Sequence, residues 1–239
     1  MSRLFEELAW HPTEMGALSL RRRREPRLGV DIHEIMLGEE FLMSSLFTEA
    51  EEALARLALA ELPAEPVDVA IGGLGLGYSA RAALQDERVR SLIVVESLGE
   101  VIAWHREGLL PLGPELTGDQ RCRLVHGDFF TMAAGHGFHP DRPGRKFHAV
   151  VVDIDHTPRK TLDSRHADFY SAAGLESLAR HLHPGGVFAL WSDDPPEDDF
   201  MAMLSAALAE ARAEVVSFHN PLRDRPAANT VYIGRKPAG

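Results

Sequence analysis

Four acidic residues stand at the ends of apolar segments in the middle of the chain. Glu96 closes "SLIVVE", Asp128 follows "CRLVHG", and Asp153 and Asp155 belong to "VVVDIDHTP". Ligands of open parallel sheets bind at the carboxyl ends of the strands, so these four side chains should converge on one crevice. Carboxylates in such a crevice can accept hydrogen bonds from hydroxyl or amino groups, and they attract cationic amines.

A glycine-rich stretch, "VDVAIGGLGLGYSA", precedes these acids. Glycine has no Cβ and tolerates positive φ, so such a loop lets a ligand approach the backbone closely. An apolar segment enters the loop and a helix former leaves it, as in loops that bind dinucleotides or nucleosides of the S-adenosylmethionine type. The spacing Gly75-x-Gly77-x-x-Ala80, with Glu96 about twenty residues later, also fits the dinucleotide pattern, so the loop alone leaves both ligands open.

The positions that follow the glycine loop favour the nucleoside. A carboxylate at Glu96 can accept hydrogen bonds from both hydroxyls of a ribose, which either ligand supplies. Asp128, just after the next apolar segment, can accept from the amino group of adenine, while Phe129 or Phe130 packs on the ring. A dinucleotide would leave Asp128 without that role.

The composition limits the class of protein. The chain has 239 residues, 45% of them hydrophobic, which suits one α/β domain with a small appendage. No apolar run reaches the ~18 residues of a membrane span, and the N-terminus lacks the apolar core of a secretory signal. A single cysteine, Cys122, excludes an internal disulfide and is typical of a reducing environment. We therefore expect a cytoplasmic protein without a membrane partner, and the formal charge of −11 predicts no nucleic-acid partner.

Two clusters suggest other chemistry. The run Arg21–Arg24 could contact a polyanion, but such a run is more often a solvated strand end or loop. His136, His139 and Asp141 could suggest a metal, but they fall in the glycine- and proline-rich segment "GHGFHPDRPGRK", which fixes no coordination geometry. We predict no metal site.

Residues 1–47 differ from the rest of the chain. Short, partly alternating segments are separated by Pro26, Gly29 and Gly38, which predicts a small antiparallel β-unit of two or three strands. Residues 48–66 form a connecting helix and linker, because "TEAE" resembles a capping box and two prolines follow the helical segment. We expect Glu51 and Glu52 to lie on the solvated face of that helix.

Residues 67–239 alternate apolar segments with helical ones. Near-continuous hydrophobic strands separated by helices predict an α/β domain with a mostly parallel sheet covered on both faces. The end is different, since "EVVSFHN" and "NTVYIGRK" are joined by a short polar loop without a helix. That pattern predicts a C-terminal antiparallel strand at or near one edge of the sheet.

Together these motifs resemble the spermidine synthase-like (polyamine aminopropyltransferase) family within the class I S-adenosylmethionine-dependent methyltransferase superfamily. "AIGGLGLG" is similar to the family's G-G-G-D-G-G loop, "VVES" to its ribose-binding acid, "HGDFF" to its G-D-G/A-F adenine motif, and "VVVDIDHTP" to its D-x-x-D-P stretch. The order and spacing of the motifs extend the resemblance over most of the chain. It implies a Rossmann-like, doubly wound sheet of seven strands, with S-adenosylmethionine or its decarboxylated form as co-substrate.

The resemblance also implies site residues and an acceptor. The implied cofactor-binding residues are Gly72, Gly73, Gly75, Gly77, Glu96, Ser97, Gly127, Asp128, Phe129 and Asp153. The acceptor is a small, amine-bearing molecule of polyamine type. The family's helix equivalent to "EEALARLALAEL" contributes to its active site, so the resemblance gives contact with a polycation as the alternative to a solvated position for Glu51 and Glu52. A sulfonium carries its own leaving group, so the protein must align the amine and remove its proton. Asp153 is the candidate to orient the amine and take the proton, Asp155 to attract a cationic acceptor, and His156 to serve as a second base.

Three features depart from the family pattern. Gly75 stands where the family has the aspartate that holds the aminopropyl amine. The acids of "DIDH" are two residues apart rather than three, and "HNPLRDRPAANTVYIG" occupies the region of the family's P-x-Y-P-x-G-x-W segment. Because these departures fall in the regions that hold the amines, they weaken the prediction of aminopropyl transfer to putrescine. The prediction that the cavity binds an adenosyl sulfonium does not depend on them.

Three alternatives stay open at this level. An S-adenosylmethionine-dependent small-molecule methyltransferase on the same scaffold would prefer the ligand that keeps its carboxylate. A nicotinamide-dependent oxidoreductase would need room for a second nucleotide half. A non-catalytic nucleoside-binding interaction protein would bind without turnover, and a homodimer through the N-terminal unit is an arrangement that would suit it.

Overall fold

The computed structural model describes residues 4–238, which form two β-sheets joined by a helix. The first sheet is antiparallel in the order β1-β2-β3-β4. Its strands are β1 Phe5–Thr13, β2 Gly16–Glu25, β3 Val30–Leu37 and β4 Glu40–Ser44. The expected number of two or three strands was therefore wrong, because β1 adds a fourth. Its segment "FEELAWHPT" lacks clear alternation and contains Pro12, which a strand tolerates at a sheet edge, where β1 lies.

The arginine run lies on β2, where carboxylates of the neighbouring strands pair with it. Arg22 contacts Glu6 at 2.6 Å, and Arg23 contacts Glu34 at 2.7 Å. The run is therefore part of a partly exposed, ion-paired strand face, which agrees with its interpretation as a solvated strand segment.

Helix α1, Glu49–Ala60, connects the two sheets. It begins where the sequence predicts, but Thr48 makes no side-chain hydrogen bond to the helix backbone, so no capping box forms. Its buried residues are Ala50, Leu54, Ala55, Ala58 and Leu59. This apolar face packs against the second sheet, and burial of that face holds the two sheets together.

The second sheet has seven strands in the order β10-β11-β9-β8-β5-β6-β7. The strands are β5 Val67–Gly72, β6 Val89–Glu96, β7 Cys122–His126, β8 Phe147–Val152, β9 Leu182–Ser192, β10 Ala209–Asn220 and β11 Arg225–Arg235. The helices are α2 Tyr78–Leu84, α3 Gly99–Arg106, α4 Gly113–Gly118, α5 Phe129–Ala134, α6 Ala172–Ala179 and α7 Asp198–Ala207, with a 3₁₀ helix at Ser164–Tyr170. β5 to β9 pair in parallel, and β11 is antiparallel to both of its neighbours. The predicted α/β, doubly wound architecture is confirmed.

Helices cover both faces of this sheet. Val69 and Ile71 of β5 join the core that includes α1 and α2, whereas Ala70 faces the core that includes α6 and α7. The segment "DDFMAMLSAALAEARA" has the composition of one helix, but α7 ends at Ala207, and residues from Ala209 onward form β10, which pairs with β11. Sheet pairing overrides the helix propensity of this alanine-rich segment.

The predicted boundaries after residues 47 and 66 fall between β4 and α1 and between α1 and β5. The division into domains stays a prediction, and residues 1–3 and 239 of its outer units lie outside the described residues. Within the described chain, no helix has the length and apolar character needed to cross a bilayer.

β5 lies between β6 and β8 in the second sheet. The chain segments that leave β5 and β8 therefore run in opposite directions along the sheet, and this topology creates a crevice at the carboxyl ends of these strands.

Candidate functional site

A cavity of about 1110 Å³ occupies this crevice. Its floor consists of the loops that follow β5, β6, β7 and β8. Its roof is the first sheet, which contributes Leu37, Leu42 and Met43 together with the turn between β1 and β2. The cavity is large enough for a nucleoside and a small second molecule. Both sheets are therefore required to enclose it.

The glycine loop borders the cavity through Gly73 and Gly75. Gly73 has a φ of +91°, and a Cβ there would lie 2.0 Å from the backbone oxygen of Asp153. Gly75 has a φ of +45°, and a Cβ there would lie 2.8 Å from Sδ of Met43. The loop thus needs glycine at Gly73 to approach the loop after β8, while at Gly75 the sulfur of β4 occupies the space of a side chain.

Three other predicted ligand-binding glycines do not line the cavity: Gly72, Gly77 and Gly127. Each instead permits a close side-chain contact, with Phe129, Leu116 and Met132 respectively. In the structure these glycines permit packing beneath the site, and their direct contact with a ligand stays a prediction.

Glu96 ends β6 as a buried carboxylate on the cavity wall. Its Oε2 accepts from the backbone N–H of Leu74, and its Oε1 accepts from that of Leu98, each at 2.9 Å. Each carboxylate oxygen has a second lone pair, so Glu96 can still accept from ribose hydroxyls. Ser97 follows it on the cavity wall.

Asp128 lies at the N-terminus of α5 and lines the same cavity. Its Oδ1 accepts from the backbone N–H of Thr131 at 2.6 Å, which fixes the carboxylate as a helix cap and leaves Oδ2 without a recorded partner. Phe129 and Phe130 also line the cavity. Phe129 is buried under Gly72 and stacks on Phe138, whereas Phe130 is only half-buried.

Asp153 and Glu51 are a pair of carboxyl groups on the cavity surface, which we call the acid pair. Asp153 accepts a hydrogen bond from the Ser79 hydroxyl at 2.6 Å. Burial raises the pKa of Asp153 to about 6, although this hydrogen bond lowers it. Burial, together with the nearby charge of Asp153, raises the pKa of Glu51 to about 8. Among the described residues, no lysine or arginine contacts either carboxyl group.

The structure does not bring Asp155 into the cavity. Asp155 is 2% exposed, and its oxygens accept from the backbone N–H of Leu162, from His166 and from the Tyr170 hydroxyl. These three donors satisfy it inside the protein, which speaks against the predicted contact with a cationic acceptor. An acid two residues after Asp153 faces away because the loop after β8 turns into the 3₁₀ helix.

His156 does line the cavity, but its Nε2 lies 3.2 Å from Oε1 of Glu40 in β4. Lys160 approaches the same oxygen at 3.4 Å. These contacts tie the loop after β8 to the first sheet. The role of His156 as a second base stays a prediction.

Sequence reasoning missed Met43 and His166 on the cavity surface, and it placed Glu51 there only as an alternative to a solvated helix face. Glu51 is half-buried on the cavity surface, and Glu52 is held by Arg56 and Arg81. A signal was available, because Glu51 shares a helix face with the buried Ala55 and Ala58 at i+4 and i+7. No local pattern marks Met43 or His166.

The segment with His136, His139 and Asp141 lies apart from the cavity, and Asp141 binds Arg123. Within residues 4–238, no group of three side chains is arranged to bind a metal ion.

The chain has similarities to known proteins. No protein-family model matches it. Polyamine aminopropyltransferase 2 of Pseudomonas aeruginosa is 30% identical over 167 residues, which are 64% of this chain and 44% of that protein. The match thus spans less than half of the length of the curated relative.

Two solved structures share the fold of nearly this whole chain. The spermidine synthase from Thermotoga maritima matches with a TM-score of 0.73 at 17% identity, over 98% of this chain and 74% of that one. A spermidine synthase in complex with the transition state analogue AdoDATO matches with a TM-score of 0.74 at the same identity and coverage. The fold is therefore that of spermidine synthases, and together with the curated relative it confirms the resemblance to the spermidine synthase-like family.

Proposed function

We propose that this chain is an aminopropyltransferase that binds decarboxylated S-adenosylmethionine and transfers its aminopropyl group to a small amine-bearing acceptor. The curated relative is a polyamine aminopropyltransferase, and the structural neighbours are spermidine synthases. The observation that carries the proposal for this chain is the acid pair, Glu51 and Asp153, on the surface of a cavity that also holds nucleoside-compatible acids.

The acid pair favours a cationic ligand. Burial raises the pKa of both carboxyl groups, and the charge of Asp153 adds to the increase at Glu51. A bound ammonium group relieves this unfavourable charge interaction. The aminopropyl amine of the donor and the amines of a polyamine are cations of this kind. A neutral acceptor would leave the pair with that cost uncompensated.

The charges of the cavity also favour the decarboxylated donor over S-adenosylmethionine. Among the described residues that line the cavity, Arg165 is the only lysine or arginine, and its guanidinium binds Asp163 at 2.6 Å. The carboxylate of S-adenosylmethionine would find no free lysine or arginine there, and the acid pair would repel it. This observation weighs against the methyltransferase alternative.

The reaction needs little covalent chemistry from the protein. The acceptor nitrogen attacks the aminopropyl methylene carbon that is bonded to sulfur. A C–N bond forms at this carbon, and its C–S bond breaks with the electron pair passing to sulfur. The products are methylthioadenosine and the extended amine, and the proton leaving nitrogen passes to Asp153. A carboxylate whose pKa is raised by burial is a better proton acceptor than an ordinary one, and the Ser79 hydroxyl fixes its orientation.

The remaining cavity residues hold the donor. Glu96 accepts from the ribose hydroxyls, Asp128 contacts the base, and the glycine loop runs beside the sulfonium. The apolar roof, with Leu37, Leu42 and Met43, covers the methylene groups of donor and acceptor and excludes water. The second sheet thereby supplies the polar groups that bind the donor, and the first sheet supplies the apolar cover.

The test is binding and turnover with the purified protein. Calorimetry compares decarboxylated S-adenosylmethionine with S-adenosylmethionine, and chromatography follows methylthioadenosine formation over a panel of mono-, di- and triamines. We expect tighter binding of the decarboxylated donor and product with at least one polyamine. Tighter binding of S-adenosylmethionine with methylated product would establish a methyltransferase, and binding without any product would establish a non-catalytic protein.

A matched pair of variants connects the result to the acid pair. Glu51→Gln removes one charge from the cavity, whereas Glu49→Gln makes the same change at an exposed position of the same helix turn. The preference for the decarboxylated donor should shrink in the first variant and persist in the second.

A further inference from the structure

His166 forms part of a wall shared by two cavities. The main cavity adjoins a second one of about 500 Å³, and Asp128, Phe130, Arg165 and His166 line both. The His166 ring stacks on Phe130 with a centroid distance of 3.9 Å. These residues surround the end of the main cavity that we assign to the base of the nucleoside.

The hydrogen bonds of His166 fix which of its nitrogens carries a proton. Nδ1 lies 3.0 Å and 3.1 Å from the two oxygens of Asp155. Asp155 also accepts from Tyr170 and from Leu162, so it is the acceptor in each contact, and Nδ1 must donate. In the neutral ring, Nε2 is then an acceptor.

Nε2 of His166 is free for a ligand. No described residue hydrogen-bonds to it, and it is absent from the fully buried polar atoms that lack a partner. Asp155 is 2% exposed and His166 is 8% exposed, so the ring is held in place rather than mobile on the surface. A buried carboxylate that orients an imidazole toward a cavity fixes both its tautomer and its direction.

We propose that His166 is a specificity residue for the nucleobase: its Nε2 accepts one N–H of an exocyclic amino group, and Oδ2 of Asp128 accepts the other. The proposal rests on nucleoside binding by this cavity, as in the proposed function. An amino group offers two hydrogens to two acceptors on the same wall, whereas an oxo group would place its own lone pairs against both. Aminopurines should therefore bind and oxopurines should be rejected.

The test uses the reaction product, so it does not depend on turnover. Calorimetry compares methylthioadenosine with methylthioinosine, which differ in the amino and oxo groups of the base. We expect the wild-type protein to prefer the amino compound by about 100-fold, and His166→Phe, which keeps a ring against Phe130, to prefer it by about 10-fold. His136→Phe, the same change at an exposed histidine outside both cavities, should retain the wild-type ratio.

A second measurement needs no variant. Methylthioadenosine with two methyl groups on the amino nitrogen has neither hydrogen and should bind the wild-type protein about as weakly as the inosine compound. Equal binding of the dimethyl and parent compounds would overturn the proposal, as would an unchanged amino-to-oxo ratio in a folded His166→Phe protein. If the wild-type protein binds neither nucleoside, the proposed function fails together with this inference.

Asp155 acts here as a positioning residue, and its variant has a distinctive readout. The amide introduced by Asp155→Asn can donate to Nδ1, which makes Nε2 a donor. The preference should then move toward methylthioinosine, beyond the reduction seen in His166→Phe. A loss of stability alone would weaken the binding of both nucleosides equally and leave their ratio unchanged, which would exclude the positioning role.

Discussion

Glu96 and Glu51 line the same cavity, but the protein surrounds their carboxyl groups differently. Two backbone N–H groups donate to Glu96, and another donates to Asp128. In the acid pair, the Ser79 hydroxyl donates to Asp153 and a backbone hydrogen bond lowers the pKa of Glu51, but neither carboxyl group has a cationic partner among the described residues. Burial raises the pKa of both carboxyl groups of the pair.

This difference matches two kinds of ligand group. Backbone donors stabilise the charge of Glu96 and Asp128 before any ligand arrives, so these acids can recognise neutral hydroxyl and amino groups by geometry. In the acid pair, burial outweighs the hydrogen bonds that stabilise the charged form, so a bound cation is needed to complete the stabilisation of its charge. One end of the cavity is thus organised in advance, whereas the other is completed by its ligand.

The largest expected effect comes from removing the proton acceptor of the acid pair. Asp153→Asn keeps the size of the side chain and a hydrogen bond to Ser79 but cannot take a proton from the amine. We expect the turnover number to fall about 10²–10⁴-fold while methylthioadenosine binding changes little. Steady-state kinetics and calorimetry separate the two effects. Asp224→Asn, on the exposed turn after β10, is the control, and a fall in turnover below about tenfold would remove the general-base role of Asp153.

A smaller effect is expected at the organised end. Glu96→Gln places an amide N–H₂ against one of two backbone donors, at Leu74 or Leu98, and weakens acceptance from ribose. We expect methylthioadenosine affinity to fall about 10- to 100-fold with no change in the pH dependence of binding. Calorimetry measures both, with Glu107→Gln, at the exposed end of α3, as the control. Unchanged affinity would mean that the two ends of the cavity do not differ as described.

The organised end was largely predictable from the sequence, because its residues follow strands. An apolar segment predicts a strand, and the topology of parallel sheets places the residues after it at one edge. Glu96, Asp128 and Asp153 lie on the cavity for this reason. The same pattern includes three glycines that pack against side chains beneath the cavity: Gly72, Gly77 and Gly127. Whether a glycine lies on the cavity surface or beneath it depends on its neighbours in the fold, which the glycine itself does not indicate.

The acid pair was only half predictable. Glu51 lies on a helix, and its partner Asp153 comes from the loop after β8, a separate part of the chain. Asp155 shows the converse, since its partners His166 and Tyr170 follow 11 and 15 residues later and turn it inward. In the fold, β1 and the start of β10 escaped prediction because strand pairing, rather than local propensity, determines them.

The smallest expected effect is a pH dependence that belongs to the acid pair alone. With the pKa of Glu51 raised to about 8, the empty cavity holds a proton near pH 7 that a bound ammonium group displaces. Affinity for decarboxylated S-adenosylmethionine should therefore rise about fivefold between pH 7 and pH 8, with proton release detected by calorimetry in buffers of different ionisation heat. Glu51→Gln should abolish the release and Glu49→Gln should preserve it.

Folding stability should change in the opposite direction with pH. Because the pKa of Glu51 is higher in the folded protein than in the unfolded chain, the folded state binds more protons between these two pKa values. The free energy of unfolding of the empty protein should then decrease as pH rises toward about 8, and the slope should be smaller in Glu51→Gln. Urea titrations from pH 5 to pH 8 measure it. Equal slopes in both proteins, with no proton release on binding, would mean that the protein already compensates Glu51 as it compensates Glu96.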